Sequence, residues 1–386
     1  MNEWRKCPIG NVVTLRQGFA INAKSKHYMS DTPTRLPLLR IADMKSGKKE
    51  IFVKEDIPQR FIASNEDIIY TRTGNVGLVF RNKYGVVHNN CFTVTPQDER
   101  EISRDFLYYA LKDKNFYDKA NALARGAALP DLPHSSFCSI ELSFPSLSKQ
   151  HRIATILSRY DSLIDNYQKQ IKLLEEAAQR LYKEWFVNLR FPGHENTKIV
   201  DGVPEGWEKK KLISLVDVQY GYAFDGHLFN DKGERMPILR IRNIPDGYTK
   251  DYTAEQASSD YIVHKGDIVV GMDGIFHINT WSGDDAYLVQ RACSFRPHNE
   301  KLKGFIFQAI VEPIKFFEKT LVGATVAHLG KKHIDSIELL VPSKERLFAP
   351  LQKMYKQRMT LLSQLRLLTE SRDRLLPKLL SGEIEV

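Results

Sequence analysis

A chain of 386 residues with 42% hydrophobic content is globular rather than disordered material and is long enough for two or three domains with buried cores. Its 56 Lys and Arg against 47 Asp and Glu leave a net charge of +9, a balance that suits a polyanionic partner because cationic side chains displace counterions from phosphates. Cys7, Cys91, Cys138 and Cys293 are scattered without a C-x-x-C pair, no apolar run approaches 18 residues, and Met1-Asn-Glu-Trp-Arg-Lys lacks a signal-peptide core, so the expectation is a soluble protein of the reducing cytoplasm with no disulfide framework.

In chain order, residues 1–146 read as a mixed domain. Short apolar runs, Ile68-Ile-Tyr70, Gly77-Leu-Val-Phe80 and Phe92-Thr-Val94, alternate with Gly, Asn and Asp turns and predict strands, while Phe106–Leu111 has helical spacing. Residues 147–190 follow as one helix. Its apolar series, Ile153, Leu157, Tyr160, Ile164, Tyr167, Ile171, Leu174, Ala178, Leu181 and Trp185, steps by four and three, the seam of a coiled coil, and Phe191-Pro192-Gly193 should stop it. After a linker, 191–205, a second domain at 206–343 repeats the first. Leu36-Pro-Leu-Leu-Arg-Ile41 returns as Met236-Pro-Ile-Leu-Arg-Ile241, Glu66-Asp-Ile-Ile69 as Gly266-Asp-Ile-Val269, Ser139–Ser146 as Ser336–Ser343, Phe106–Leu111 as Phe305–Ile310, and Gly18-Phe19-Ala20 as Gly221-Tyr222-Ala223.

Residues 344–386 close the chain with a second heptad run through Leu351, Met354, Arg358, Leu361, Leu365, Leu368, Arg372, Leu375 and Leu379. Arg358 and Arg372 fall in the seam, Pro350 marks the first turn, and Pro377 should kink or end the helix. Two seams, each behind its own copy of the domain, most simply pack as an antiparallel pair. The expected fold is therefore α+β: two similar mixed α/β domains separated by an antiparallel coiled coil of two long helices. A helix of ~40 residues spans about 60 Å and would hold two readers apart on a duplex whose turn is roughly 34–36 Å.

Taken in this order, twice, the motifs resemble the specificity subunit of type I restriction–modification enzymes over essentially the whole length. The resemblance rests on several paired features: the Trp-led entries at Glu3-Trp4 and Gly206-Trp207, the Leu-Arg-Ile segments at 39–41 and 239–241, and the Asp-Ile strands at 67–69 and 267–269 with their turns at Thr73-Gly74 and Asp273-Gly274. The glycine-led turns Gly126–Leu132 and Gly323–Leu329, and Phe144-Pro-Ser146 and Val341-Pro-Ser343 leading into heptads, complete it. Such a subunit is expected to have no active site and no metal or cofactor of its own. It would bind a bipartite site on double-stranded DNA together with two adenine-N6 methyltransferase subunits and, in the full enzyme, two ATP-driven translocating endonuclease subunits, and these partners would use S-adenosylmethionine, ATP and Mg2+. The chain has no Asn-Pro-Pro-aromatic motif, no Gly-x-x-x-x-Gly-Lys loop and no His-x-x-x-His pair with acidic support. Alternatives from other classes are an enzyme whose motifs have drifted, and a coiled-coil scaffold that has lost DNA binding.

Base reading needs forked donors on loops, Arg for guanine and Asn or Gln for adenine. Arg40 and Arg240 are equivalent, and positions that differ between copies are the better specificity candidates. These are Arg242-Asn243 against Ala42-Asp43, Thr71-Arg72-Thr73 against Gly271-Met272-Asp273, Arg125 against Val322, and Asp131 against His328. Each could equally contact phosphate or serve the scaffold. Lys24, Lys26, His27, Lys48, Lys49, Lys331, Lys332 and His333 are candidate phosphate positioners.

Overall fold

A computed structural model describes residues 4–321 and 327–386. Glu3 of the first entry, Val322, and Gly323–Val326 of the second glycine-led turn lie outside the described residues. The chain divides into two compact units, residues 1–163 with 368–386 and residues 164–367, so each long helix contributes to both.

The first unit is built on a four-stranded antiparallel sheet in the order Val13–Gln17, Cys91–Pro96, Ile68–Thr71, Val79–Phe80. A five-stranded sheet of short strands adjoins it, in which Leu36–Leu39 runs parallel to Gly85–Val87. Arg5–Pro8 pairs with Glu141–Phe144 and brings the two ends of the domain together. The strand expected from Gly77 begins only at Val79, because Gly77 sits at φ +93° and turns the chain. Tyr70, Phe92 and Phe137 are wholly buried and interlock, with ring centroids 4.9–5.5 Å apart, against Phe116 of the helix Lys114–Leu123. Each such ring contributes about 1.5–3 kcal/mol by leaving water.

The second unit repeats this topology strand for strand: Val216–Tyr220, Ala292–Pro297, Ile268–Gly271, Ile278–Thr280 in one sheet, a parallel pair of Met236–Leu239 with Ala286–Leu288 in the other, and Trp207–Lys211 on Glu338–Pro342. The shared Gly-aromatic-Ala step has a shared cause. A Cβ on Gly18 would collide with the backbone carbonyl of His88, and one on Gly221 with that of Val289, because the next residue bridges to that strand in both copies.

The first long helix spans Leu147–Tyr182 and the second Ala349–Ser381. Each is tied to the domain before it by a glutamine in its first turn. Gln150 accepts the Ser103 N–H at 2.8 Å, and Gln352 accepts that of Gly304 at 2.9 Å. The helices run antiparallel. In the first unit Arg372 donates to Asp161 at 2.8 Å; in the second, Arg358 donates to Glu175 at 2.6 Å. Both seam arginines thus meet an acid on the facing helix, 14 positions apart along each helix. Ile164, Ile171 and Leu361 are buried in the seam, and Leu174, Leu181, Leu365, Leu368 and Leu375 are half-buried. Leu157 is wholly buried, but within the core of the first domain, which also takes Leu376 and Leu379.

Two boundaries differ from those read in the sequence. Pro377 does not end the second helix, which continues to Ser381; the proline removes one backbone bond, while buried Leu376 and Leu379 hold the last turn on the domain. The first helix leaves α geometry at Tyr182, ahead of Phe191-Pro192-Gly193, and passes through a π turn at Lys183–Val187. That turn delivers buried Phe186 to Phe305, Trp207 and Phe348 at centroid distances of 4.9–6.3 Å. Among the described residues no helix is long and apolar enough to cross a membrane.

Candidate nucleic-acid interface

In both domains the chain leaves the central strand of the four-stranded sheet at the same kind of junction. In the first, the Arg72 N–H donates to the Asn90 carbonyl and the Leu132 N–H to that of Arg72, at 2.8 and 2.9 Å. Arg125 and Asp131 exchange two backbone bonds, both 2.8 Å, and Thr73 bridges Asp131. In the second, the Met272 N–H donates to the Arg291 carbonyl and the Leu329 N–H to that of Met272, at 2.8 and 2.7 Å, and Asp273 bridges His328. Positions 72, 73, 90 and 131 of the first domain therefore correspond to 272, 273, 291 and 328 of the second.

The side chains on this common frame differ. Arg72 forks onto Asp131, with Nη2 2.7 Å from Oδ2 and Nε 3.2 Å from Oδ1, and its Nη1 donates to Gln17 Oε1 at 3.2 Å. The Thr73 hydroxyl donates to Asp131 Oδ1 at 2.6 Å. The Arg72 hydrogen bond, outweighing burial and helped by Thr73, holds the Asp131 carboxyl below the usual carboxylate range. In the second domain Asp273 takes Arg291 Nη1 at 2.5 Å on one oxygen and His328 Nδ1 at 2.6 Å on the other. Burial pushes the Asp273 carboxyl up, but the bonds from His328 and Arg291 prevail and leave it below its ordinary value.

A second polar group stands at the end of Leu36–Leu39 and of its counterpart. Arg40 donates to both oxygens of Asp43, at 2.6 and 2.8 Å, and to Glu50 at 2.8 Å; the bond to Asp43 is the main reason its guanidinium holds its proton more tightly than usual. Arg240 instead lies 5.1 Å over the Phe229 ring, Arg242 forks onto Asp251 at 2.8 Å, and Asn243 caps its own turn by accepting the Arg240 N–H at 2.9 Å while donating to Asp251 at 3.1 Å. Lys331 is exposed at the start of a short helix, Lys331–Asp335. Asp43 is buried and stays with Arg40, but the exposed contact with Glu50 is worth about 0–1 kcal/mol, so a phosphate or base edge can replace Glu50 at little cost.

Thr71 requires a correction as a reader of bases. It is wholly buried, its hydroxyl donates to the Asn75 carbonyl and accepts the Leu78 N–H, and it braces a turn with no surface to offer. Sequence reasoning also missed residues that the fold brings in: Gln17 against Arg72, Glu50 against Arg40, Asp251 against Arg242, and Arg291. Comparison of the two copies, extended to 90 and 291, would have found the last.

Each copy of the duplicated α/β domain thus carries a polar, partly cationic junction on one backbone frame, a surface suited to the phosphates and base edges of a nucleic acid. The chain matches the type I restriction modification DNA specificity domain over residues 1–176 and 204–372, and it belongs to that family as a specificity subunit with two target-recognition domains. It is 25% identical to the type I restriction enzyme MjaIX specificity subunit of Methanocaldococcus jannaschii, over all of this chain and 94% of that one. It is 23% identical to the HindI specificity subunit of Haemophilus influenzae over the full length of both. The crystal structure of an S subunit from M. genitalium superposes with a TM-score of 0.61 at 19% identity, covering 98% of this chain and 96% of that one, a likeness of fold.

Proposed function

We propose that this chain is the non-catalytic recognition and assembly subunit of a type I restriction–modification complex. Each domain reads one half of a bipartite duplex site, and the helix pair sets the unread gap and docks two methyltransferase subunits, through which two endonuclease subunits join. The partners supply the chemistry with S-adenosylmethionine, ATP and Mg2+; the residues of this chain bind and orient DNA. The observation that carries the reading is the pair of junctions, 72/73/90/131 and 272/273/291/328, built on one backbone frame with different polar side chains. A common scaffold with unlike readers is what two unlike half-sites require.

The test is co-expression with the partner methyltransferase, followed by mapping of N6-methyladenine by single-molecule sequencing. A two-part motif with a constant gap is expected. A continuous motif overturns the two-reader arrangement, and an intact complex that neither methylates nor shows salt-dependent DNA affinity leaves a bare scaffold. Inserting one heptad in both helices should change the gap and neither half-sequence.

A further inference from the structure

The two junctions are ion pairs of opposite orientation. In the first domain the arginine is the inner partner and the acid the outer: the Arg72 side chain is 22% exposed and that of Asp131 38%. In the second the order is reversed, with Asp273 at 13% and Arg291 at 65%. The inner member of each pair is fixed by further bonds. Arg72 is held by Gln17, and Asp273 by His328.

The outer members keep unused hydrogen-bonding capacity of opposite kind. Asp131 Oδ2 accepts from Arg72 alone among the described side chains, and an ionised carboxylate has about four acceptor sites. Arg291 makes one side-chain hydrogen bond among the described residues, through Nη1, which leaves most of the five donors of its guanidinium unused. Arg291 also sits at φ +68°, a left-handed conformation uncommon for a residue with a side chain and not shared by Asn90 in the same place.

We propose that the inverted pairs give the two domains opposite hydrogen-bonding character toward DNA: Asp131 accepts from the amino group of cytosine or adenine in one half-site, and Arg291 donates its fork to a guanine in the other. This rests on the two-reader function proposed above. The major groove offers both partners, the amino groups as donors and guanine N7 and O6 as paired acceptors. In each case the inner, oppositely charged residue fixes the angle at which the outer one meets the base. Arg72 and Asp273 are therefore positioning residues.

The methylation motif of the wild-type complex is the first check, because the half read by the second domain must contain a G·C pair; a second half without one overturns the assignment of Arg291. The complex carrying Arg291→Ala is expected to lose discrimination at that pair by roughly ten- to a hundredfold, with the first half untouched. Asp131→Asn, which keeps shape but loses charge, is expected to change the base preferred at one position of the first half only. Arg291→Lys retains the charge without the fork, and should relax the same base even if the alanine variant folds poorly. Unchanged motifs in all three variants, or weakening that is uniform over sequences, would make these residues scaffold or phosphate contacts and overturn the proposal. If the wild-type complex itself yields no bipartite motif, the two-reader function fails instead.

Discussion

The two domains share a backbone yet balance the same acid differently. Asp67 and Asp267 both precede the central strand and both cap the turn behind it, by accepting the backbone N–H of Ser64 at 2.7 Å and of His264 at 2.9 Å. In the second domain the neutralising arginine is Arg296, on the adjacent strand, and it forks onto Asp267 at 2.5 and 3.1 Å; Asp267 is 2% exposed. In the first it is Arg16, one strand further out at the sheet edge, which reaches Asp67 by a single 3.4 Å contact and divides its donors with Thr93 and the Ile62 carbonyl. Duplication preserved the need for a cation at this place and left its origin free. The lesson extends to the cores: Tyr70, Phe92 and Phe137 of the first occupy positions filled by Val270, Cys293 and Ile334 in the second, which gathers its aromatic rings at the helix base instead.

The comparison can be broken most decisively at the acids. Asp267→Ala removes a buried acid that accepts both a turn N–H and the half-exposed Arg296 fork, and should cost about 2 kcal/mol, whereas Asp67→Ala should cost about 1 kcal/mol. Native-state hydrogen exchange on strand peptides of each domain reads the two losses separately, and equal losses would mean that strand origin is immaterial. Of similar size are the effects of Gly18→Ala and Gly221→Ala. Both force a methyl group into a backbone carbonyl, and both should destabilise their domains by about 2 kcal/mol; a tolerant copy would separate the domains where they look most alike.

The smallest expected effect is one of pH. Burial first, then Arg40, holds the His88 imidazole below its ordinary value, and burial with Arg72 does the same for His134. A folded-state value below that of the unfolded chain, about 6.5, means that the unfolded chain binds more protons between the two, so stability falls as pH drops below about 6.5. Val289 and Lys331 stand at the corresponding places in the second domain. Between pH 7 and 5 the first domain should therefore loosen more than the second. His88→Val with His134→Lys should remove the excess, as measured by exchange corrected for its intrinsic pH dependence.

Much of the architecture was legible because it is written in periods. The 200-residue repeat announced the duplication, and the four-three spacing announced the helices down to the two arginines in the seam. The partners of those arginines were not legible: Glu175 and Asp161 lie 183 and 211 residues from Arg358 and Arg372, and no local rule joins them. The candidate interface suffered in the same way. Arg40, Arg72 and Arg242 were visible as cations, but the acids that hold them, Glu50, Asp131 and Asp251, were either overlooked or weighed as readers in their own right. Thr71 looked like a variable polar residue because its burial depends on a turn that only the folded chain supplies. The π turn was invisible because hydrophobic spacing runs through it to Trp185 without a break.

That turn has a mechanical meaning. A π turn closes its ring with one residue more than an α turn, and each helical residue advances the wheel by about 100°. Lys183–Val187 is thus a change of phase within the stretch of the first long helix that packs on the second domain, just after Ala178 and Tyr182 have joined that core. Upstream, the wheel points Ile171 and Leu174 along a narrow stripe; downstream, it must present Phe186 to a socket of Phe305, Phe348 and Trp207. Removing one residue there would leave both surfaces chemically intact and set them a third of a revolution out of step.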